Sequence, residues 1–283
     1  MKTELITEAY LRGRLLCREN GSHKGDYGHL LLVCGCQTMP GAAVLATGAA
    51  LRSGCGLVTL HSTGRALQAV VNRFPSAILS EDPGPCIGTV PVSLEKYSAI
   101  VVGPGLGQAP GTLEVLSKLL FSANRAGIPM LLDSDALNLL AAHPALWSGI
   151  PRGSILTPHL GELRRLVAWN DEEGKEAAVR SICRDSGCTV VVKGYHSRVY
   201  LPGGECLVNT TGNPGMAKGG SGDVLSGLAG GLLARGYAST DAAALGVWIH
   251  GYAGDRLASE RTAEAYDSSD IIDFLWTGFK QFY

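Results

Sequence analysis

Short apolar runs that end in turn residues alternate with longer stretches whose apolar positions recur at helical spacing, the rhythm of a parallel sheet covered by helices on both faces. His29 to Cys34 is the first clear strand; Gly41 to Ser53 reads as a helix of small residues, and Gly56 to His61 as the next strand. Ala99 to Val102 is a third strand, cut short by Gly103-Pro-Gly105-Leu-Gly107. A helix from Thr112 to Ala126 follows, and Ile128 to Leu132 resumes the sheet. Ser154 to Thr157 and Thr189 to Val192 extend the parallel set, with helices from Gly161 and Asp171 between them. Ser197 to Leu201 and Glu205 to Asn209 flank Pro-Gly-Gly, which predicts a hairpin forming an antiparallel edge of the sheet. Beyond it Asp223 to Arg235, Thr240 to Ala258 and Ser268 to Phe279 have helical length. With no linker, repeat or low-complexity stretch, residues 1–283 read as a single α/β domain.

Composition narrows the class. Lys and Arg number 24 against 25 Asp and Glu, with no strongly basic window, which argues against a nucleic-acid surface. A hydrophobic fraction of 46%, only 17% charged residues and a mean hydropathy of +0.14 describe a compact chain. No apolar run approaches the ~18 residues of a membrane span. The eight cysteines lack paired C-x2-C knuckles, and the start of the chain does not read as a signal peptide. Reduced thiols, no structural zinc and a cytoplasmic setting are expected. Glycine is the outlier: 38 of 283 residues, roughly twice the ~7% average, with no collagen period. Such an excess serves turns and close backbone approach.

The densest glycine signal lies between Gly212 and Gly236, where nine residues are glycine and the centre reads Asn213-Pro-Gly-Met-Ala-Lys-Gly219-Gly220-Ser221-Gly222-Asp223. A glycine loop opening a helix offers bare amides at the positive end of a helix dipole, so Gly219, Gly220, Ser221 and Gly222 form a candidate anion hole. Asp223 reads either as a helix cap or as a general base. The spacing fits neither a hydrolase elbow nor a P-loop. Gly103-x-Gly105-x-Gly107 lacks dinucleotide spacing but lies at the carboxyl end of a strand, where open α/β sheets bind ligands. Two more strand ends converge on that edge. After the first, His159 could orient a hydroxyl or phosphate and Glu162 could hold water on a magnesium ion. After the second, Lys193 and Ser197 could meet nucleotide phosphates. Each of these is equally readable as a turn residue or helix cap. Asp133 and Ser134 likewise read as caps for a helix carrying Asn138.

Taken together, His23-Lys24-Gly25-x-Tyr27-Gly28, Gly41-Ala42-Ala43, Gly56-Leu-Val, Gly103-Pro-Gly-Leu-Gly107, Asp133-x-Asp135-Ala-Leu-Asn138, Thr157-Pro-His159-x-Gly-Glu162 and Asn213-Pro-Gly-Met-Ala-x-Gly-Gly-x-Gly-Asp-Val-Leu resemble the ADP/ATP-dependent NAD(P)H-hydrate dehydratase family over nearly the whole chain. The resemblance implies a ribokinase-like fold and repair of hydrated NADH and NADPH, the S epimer, at the expense of ADP or ATP with Mg2+. AMP or ADP and phosphate would be released. It also implies Asp223 as the base, substrate contacts at Ala43, Gly105, Gly107, Asn138, His159 and Asp223, and nucleotide contacts at Lys193, Gly194, Tyr195, His196, Ser197 and Gly222. A homotetramer is expected. Many relatives carry an N-terminal epimerase domain; only about 22 residues precede the first motif here, so that domain is expected to be missing and a separate epimerase to act in the same pathway. Lys218 stands where the family commonly has Thr or a small residue, and is expected to add phosphate affinity. Ser134 replaces a usual Ala, with no clear consequence. Rival readings are a vitamin-precursor kinase of the same fold, of the hydroxyethylthiazole or hydroxymethylpyrimidine type, and a catalytically silent nucleotide-binding scaffold.

Overall fold

The computed structural model describes residues 3–91 and 93–283. Ten strands form one sheet: β1 (Thr3–Ile6), β2 (His29–Val33), β3 (Leu57–Thr63), β4 (Ile78–Asp82), β5 (Ala99–Val102), β6 (Met130–Leu132), β7 (Ile155–Leu156), β8 (Thr189–Val192), β9 (Arg198–Tyr200) and β10 (Cys206–Asn209). Their spatial order is β1-β10-β9-β8-β7-β6-β5-β2-β3-β4. Only β9 runs against its neighbours. The α/β, mostly parallel reading therefore holds, and so does the hairpin.

The hairpin is not the edge, however. β1 pairs in parallel with β10, Thr3 opposite Cys206 through Ile6 opposite Asn209, and covers the outer side of the hairpin. At the other end β4 adds a strand beyond β3 that no apolar run announced. Both edge strands escape periodicity for one reason: at the margins of the sheet the covering layers bury few of their side chains. In β4 Ile78 and Leu79 are exposed and only Asp82 is buried, while in β1 only Ile6 is buried.

Central strands read as continuous apolar runs because both faces are covered. In β2, Leu30 and Leu32 point into one core and Leu31 and Val33 into the other. The first core is roofed by α2 (Pro40–Leu51), α3 (Gly64–Arg73), α8 (Ser221–Ala234), α9 (Ser239–Glu260) and α10 (Ser268–Phe279). The second lies under α4 (Pro110–Ala126), α5 (Asp135–Ala142), α6 (Leu160–Leu166) and α7 (Glu172–Ser186). A short α1 (Glu8–Arg12) follows β1.

The glycine excess finds its use in α8, the helix that opens at the candidate anion loop. A Cβ on Gly227 would lie 2.0 Å from the Ala46 carbonyl oxygen in α2, and one on Gly230 would lie 2.0 Å from Val101 Cγ2 in β5. Without side chains at those positions α8 settles against α2 and the sheet at backbone distance. Its N-terminus is thereby held at the carboxyl edge of the strands.

Candidate functional site

A cleft of ≈ 700 Å3 opens along that carboxyl edge. Its walls are the ends of β6, β7 and β8, the 193–197 turn, the 211–218 segment, the start of α8 and one turn of α9.

The glycine loop folds as an anion-accepting helix start. Gly220 is the N-cap of α8 at φ 89°, a left-handed conformation that glycine adopts without strain, and a Cβ there would lie 2.4 Å from Leu45 Cδ1. Ser268 Oγ donates to the Gly219 carbonyl at 2.8 Å and steadies the loop from α10. The amides of Gly222 and Asp223 have no acceptor among the described residues, so two donors and the positive end of a fourteen-residue helix face the cleft. Gly220, Ser221 and Gly222 line the cleft; Gly219 is exposed beside it.

Asp223 occupies the third helical position and does not cap α8, which begins at Ser221. Its carboxylate lines the cleft and makes no hydrogen bond among the described residues. Burial first, then the negative charges of Asp133 and Asp135, push its carboxyl up to about 7 against the opposing pull of Lys193. A carboxylate poised near neutrality with free lone pairs is a competent proton acceptor.

Beneath the loop lies a charge pair that the sequence did not announce. Asp133, 1% exposed, accepts from Lys193 Nζ at 2.5 Å and from Ser226 Oγ at 2.7 Å. Glu162 Oε2 stands 3.8 Å from the same ammonium. A Cβ on Gly222 would lie 3.3 Å from Lys193 Nζ, so this cation sits close under the loop. Lys193, expected among the nucleotide contacts, is thus a cleft-lining cation already tethered by Asp133. Asp133 is a buried counter-ion and caps nothing; the N-cap of α5 is Ser134, without a side-chain cap bond, at φ 53° and ψ −118°. Few non-glycine residues hold that conformation, and strain of this kind gathers at functional sites.

The helix-cap alternative holds for His159 and Glu162. His159 Nδ1 accepts from the amides of Gly161 at 2.9 Å and Glu162 at 3.2 Å, while Glu162 Oε2 accepts from the His159 amide at 2.8 Å, completing a capping box on α6. With Nδ1 accepting, the His159 ring proton sits on Nε2, and the half-exposed ring lines the cleft. Glu162, expected to hold water on a magnesium ion, lines the cleft. Its side chain is buried, one oxygen is engaged by the His159 amide and faces Lys193, and the other lies 3.5 Å from His159 Nε2. Among the described residues no group of three or more His, Cys, Asp or Glu is arranged to hold a metal ion.

The 193–197 turn lies along the cleft as expected. Ser197 Oγ donates to the Gly194 carbonyl at 3.1 Å and accepts from the Gly194 amide at 3.2 Å, closing the turn on itself. His196, at φ 53°, meets the Asn209 carbonyl through Nδ1 at 3.1 Å, and the exposed Tyr195 ring packs on it at 3.9 Å between centroids. Ala43, Gly105, Gly107 and Asn138 do not line this cleft. Ala43 and Gly105 are buried at the start of α2 and after β5, Gly107 N donates to Asp135 Oδ2 at 2.8 Å, and Asn138 Oδ1 accepts from Arg165 Nε at 2.9 Å.

Lys218, expected to add phosphate affinity, lines the cleft with its ammonium turned to backbone. Its ammonium donates to the carbonyls of Ala263, Glu264 and Tyr266, the first two at 3.1 Å, so all three donors strap the anion loop to the connection between α9 and α10. His250 was missed altogether. It lies on α9, 8% exposed, with Nε2 at 3.4 Å from Ser221 Oγ. Burial and Lys193 hold its imidazole down to about 4, hence neutral. A histidine inside an apolar helix pattern carries no spacing signal that could have found it.

Residues 30–276 match the family model described as NAD(P)H-hydrate dehydratase. A bifunctional NAD(P)H-hydrate repair enzyme of Moorella thermoacetica is 36% identical over 96% of this chain and 53% of its own length. The ADP-dependent (S)-NAD(P)H-hydrate dehydratase of Bacillus subtilis is 32% identical over 99% of this chain and 100% of its own. A crystal structure of the B. subtilis ADP/ATP-dependent enzyme, co-crystallised with ATP/Mg2+, superposes over 100% of both chains with a TM-score of 0.83 at 28% identity. A crystal structure of a ribokinase-like superfamily protein of Enterococcus faecalis superposes over 99% of this chain and 96% of its own with a TM-score of 0.84 at 26% identity, which bears out the ribokinase-like expectation. The chain spans about half the length of the bifunctional relatives it matches, and the whole length of the B. subtilis protein. On the extent of these matches and the architecture they share, this chain belongs to the NAD(P)H-hydrate dehydratase family.

Proposed function

We propose that the protein restores hydrated NADH and NADPH, the S epimer, to the reduced cofactors by a dehydration coupled to cleavage of ADP or ATP. The observation that carries this reading is the adjacency, within one turn of α8, of a carboxylate poised near pH 7 and two free amides at a helix N-terminus. The hydrated ring offers a hydroxyl. Asp223 takes its proton as the oxygen attacks the terminal phosphorus, and the bond from that phosphorus to the nucleotide's bridging oxygen breaks, releasing AMP or ADP. The amides of Gly222 and Asp223 meet the charge that gathers on the transferred group, with Lys193 below them. The resulting phosphate ester then leaves as inorganic phosphate: its C–O bond breaks with push from the ring nitrogen, and loss of a proton from the adjacent carbon restores the double bond.

Magnesium, when bound with the nucleotide, would supply charge neutralisation on the phosphates, and Glu162 would hold it through water from the cleft wall. The 193–197 turn would hold the nucleotide, and His159 the nicotinamide end. Ala43, Gly105, Gly107 and Asn138 belong to this proposal through the family motifs, and reach substrate only where the cleft extends past its present walls. A single domain, a homotetramer, a cytoplasmic setting and a separate epimerase are parts of the same proposal. Among the described residues no helix is long and apolar enough to cross a membrane.

The test is absorbance at the dihydronicotinamide band after adding protein, magnesium and ADP or ATP to hydrated NADH. A rise that requires nucleotide and is lost in Asp223→Asn is expected. No rise, with a stable phosphate ester formed from a thiazole or pyrimidine alcohol, would replace the reading by the kinase.

A further inference from the structure

His250 is a buried, neutral histidine that the mechanism above does not use. Its position is fixed by backbone: α9 packs on α8 where a Cβ on Gly246 would lie 3.0 Å from Ala229 Cβ, and on the 211 segment where a Cβ on Gly251 would lie 2.3 Å from Thr211 Oγ1. From there the ring reaches Ser221, the first residue of α8, at 3.4 Å from Nε2 to Oγ. That is a slack hydrogen bond of the kind that tightens once ligand is bound.

One hydrogen lies between the two atoms, and its source decides what Ser221 presents to the cleft. If the serine donates to the ring, the oxygen lone pairs face a site built for anions, beside two free amides and the positive helix end, and oppose its purpose. If the ring donates, the serine proton is free and adds a third donor to the amides of Gly222 and Asp223. An anion in the cleft selects the second arrangement.

We propose that His250 is a positioning residue whose Nε2–H donates to Ser221 Oγ and so directs the Ser221 hydroxyl proton at the transferred phosphoryl group. The assignment rests on the dehydratase reading and adds to it one donor that the glycine loop alone does not supply. His250 itself lines the cleft, and its part in the assignment is to orient Ser221.

The experiment combines kinetics of His250→Leu, His250→Gln, Ser221→Ala and the Ser221→Ala/His250→Leu pair with 15N shifts of the His250 ring at pH 7 in the nucleotide-bound protein. His250→Leu is expected to lower kcat about tenfold with nucleotide KM changed less than about twofold, because the bond matters most in the transition state. His250→Gln, whose amide N–H can reach the same hydroxyl, recovers most of the rate. Ser221→Ala loses about as much as His250→Leu, and the pair loses no more than either, since both remove one donor. The ring is expected in its Nε2–H form. Multiplicative losses in the pair, no recovery by glutamine, or an Nδ1–H ring would overturn the assignment. An active wild type with His250→Leu unchanged overturns only this inference; an inactive wild type overturns the dehydratase reading beneath it as well.

Discussion

Replacing Asp223 by asparagine should leave the protein inactive and, above neutral pH, more stable. Burial, aided by Asp133 and Asp135, raises the Asp223 carboxyl from 3.8 to about 7 despite Lys193. In the unfolded chain the same group loses its proton near 3.8. Between the two values the native state binds more protons than the unfolded one, and stability falls as pH rises. The penalty is absent below pH 3.8, accumulates through the window and is complete above about 7. A gap of about three pH units at ~1.4 kcal/mol each gives an upper bound of about 4 kcal/mol. The side chain opens onto the cleft, and screening there reduces the figure to about 1 to 3 kcal/mol. Asparagine keeps the shape and removes the charge. Urea unfolding of both proteins at pH 5 and pH 8 checks this: the variant's advantage should be largest at pH 8 and shrink at pH 5. The wild-type kcat/KM should rise through about pH 7 as Asp223 ionises. A variant less stable than wild type at pH 8, or an advantage independent of pH, would refute burial and like charge as the cause.

Lys193→Met leaves Asp133 buried without its cation and should cost about 3 to 5 kcal/mol in chemical unfolding, part of which Asp133→Asn in the same chain should return. Gly227→Ala places a methyl against the Ala46 carbonyl, backbone that cannot turn aside; a loss of about 3 kcal/mol or more is expected, and a wild-type melting curve would contradict the close approach of α8 to α2. Lys218→Ala should lower Tm by several degrees, on the order of 1 to 3 kcal/mol for its lost carbonyl contacts, while nucleotide KM at low salt moves less than about twofold. A large KM change with an unaltered Tm would return Lys218 to the phosphate.

Fold legibility followed burial. β2, β5 and β8 are covered on both faces, and their apolar runs could be read directly. β1 and β4 stand at the edges, bury one residue each and left no run to read. The hairpin was legible from Pro-Gly-Gly, but not its neighbour, because a pairing across two hundred residues leaves no local trace. Glycine gave the subtler signal. Its excess announced close approach without saying where, and the use proved to be the seating of α8 as much as the loop that opens it.

The site was legible where chemistry is local to the chain and illegible where it is assembled across it. The loop from Gly219 to Asp223 draws its free donors from its own amides, so spacing sufficed to find the candidate anion site. Asp223 is raised first by burial and then by Asp133, ninety residues earlier, against the pull of Lys193, thirty residues earlier, and none of these is encoded in the loop. The Asp133–Lys193 pair joins the ends of two strands, so each residue alone looked like a cap or a ligand contact. Only the fold reveals that they neutralise each other beneath Gly222. The glycine borders both sides of this arrangement: its bare amide faces the cleft, and the cation lies close under the loop. A methyl at Gly222 would meet the Lys193 ammonium at 3.3 Å and press it by a few tenths of an ångström against its pairing with Asp133, so the loop and the charge pair beneath it are coupled through this one position.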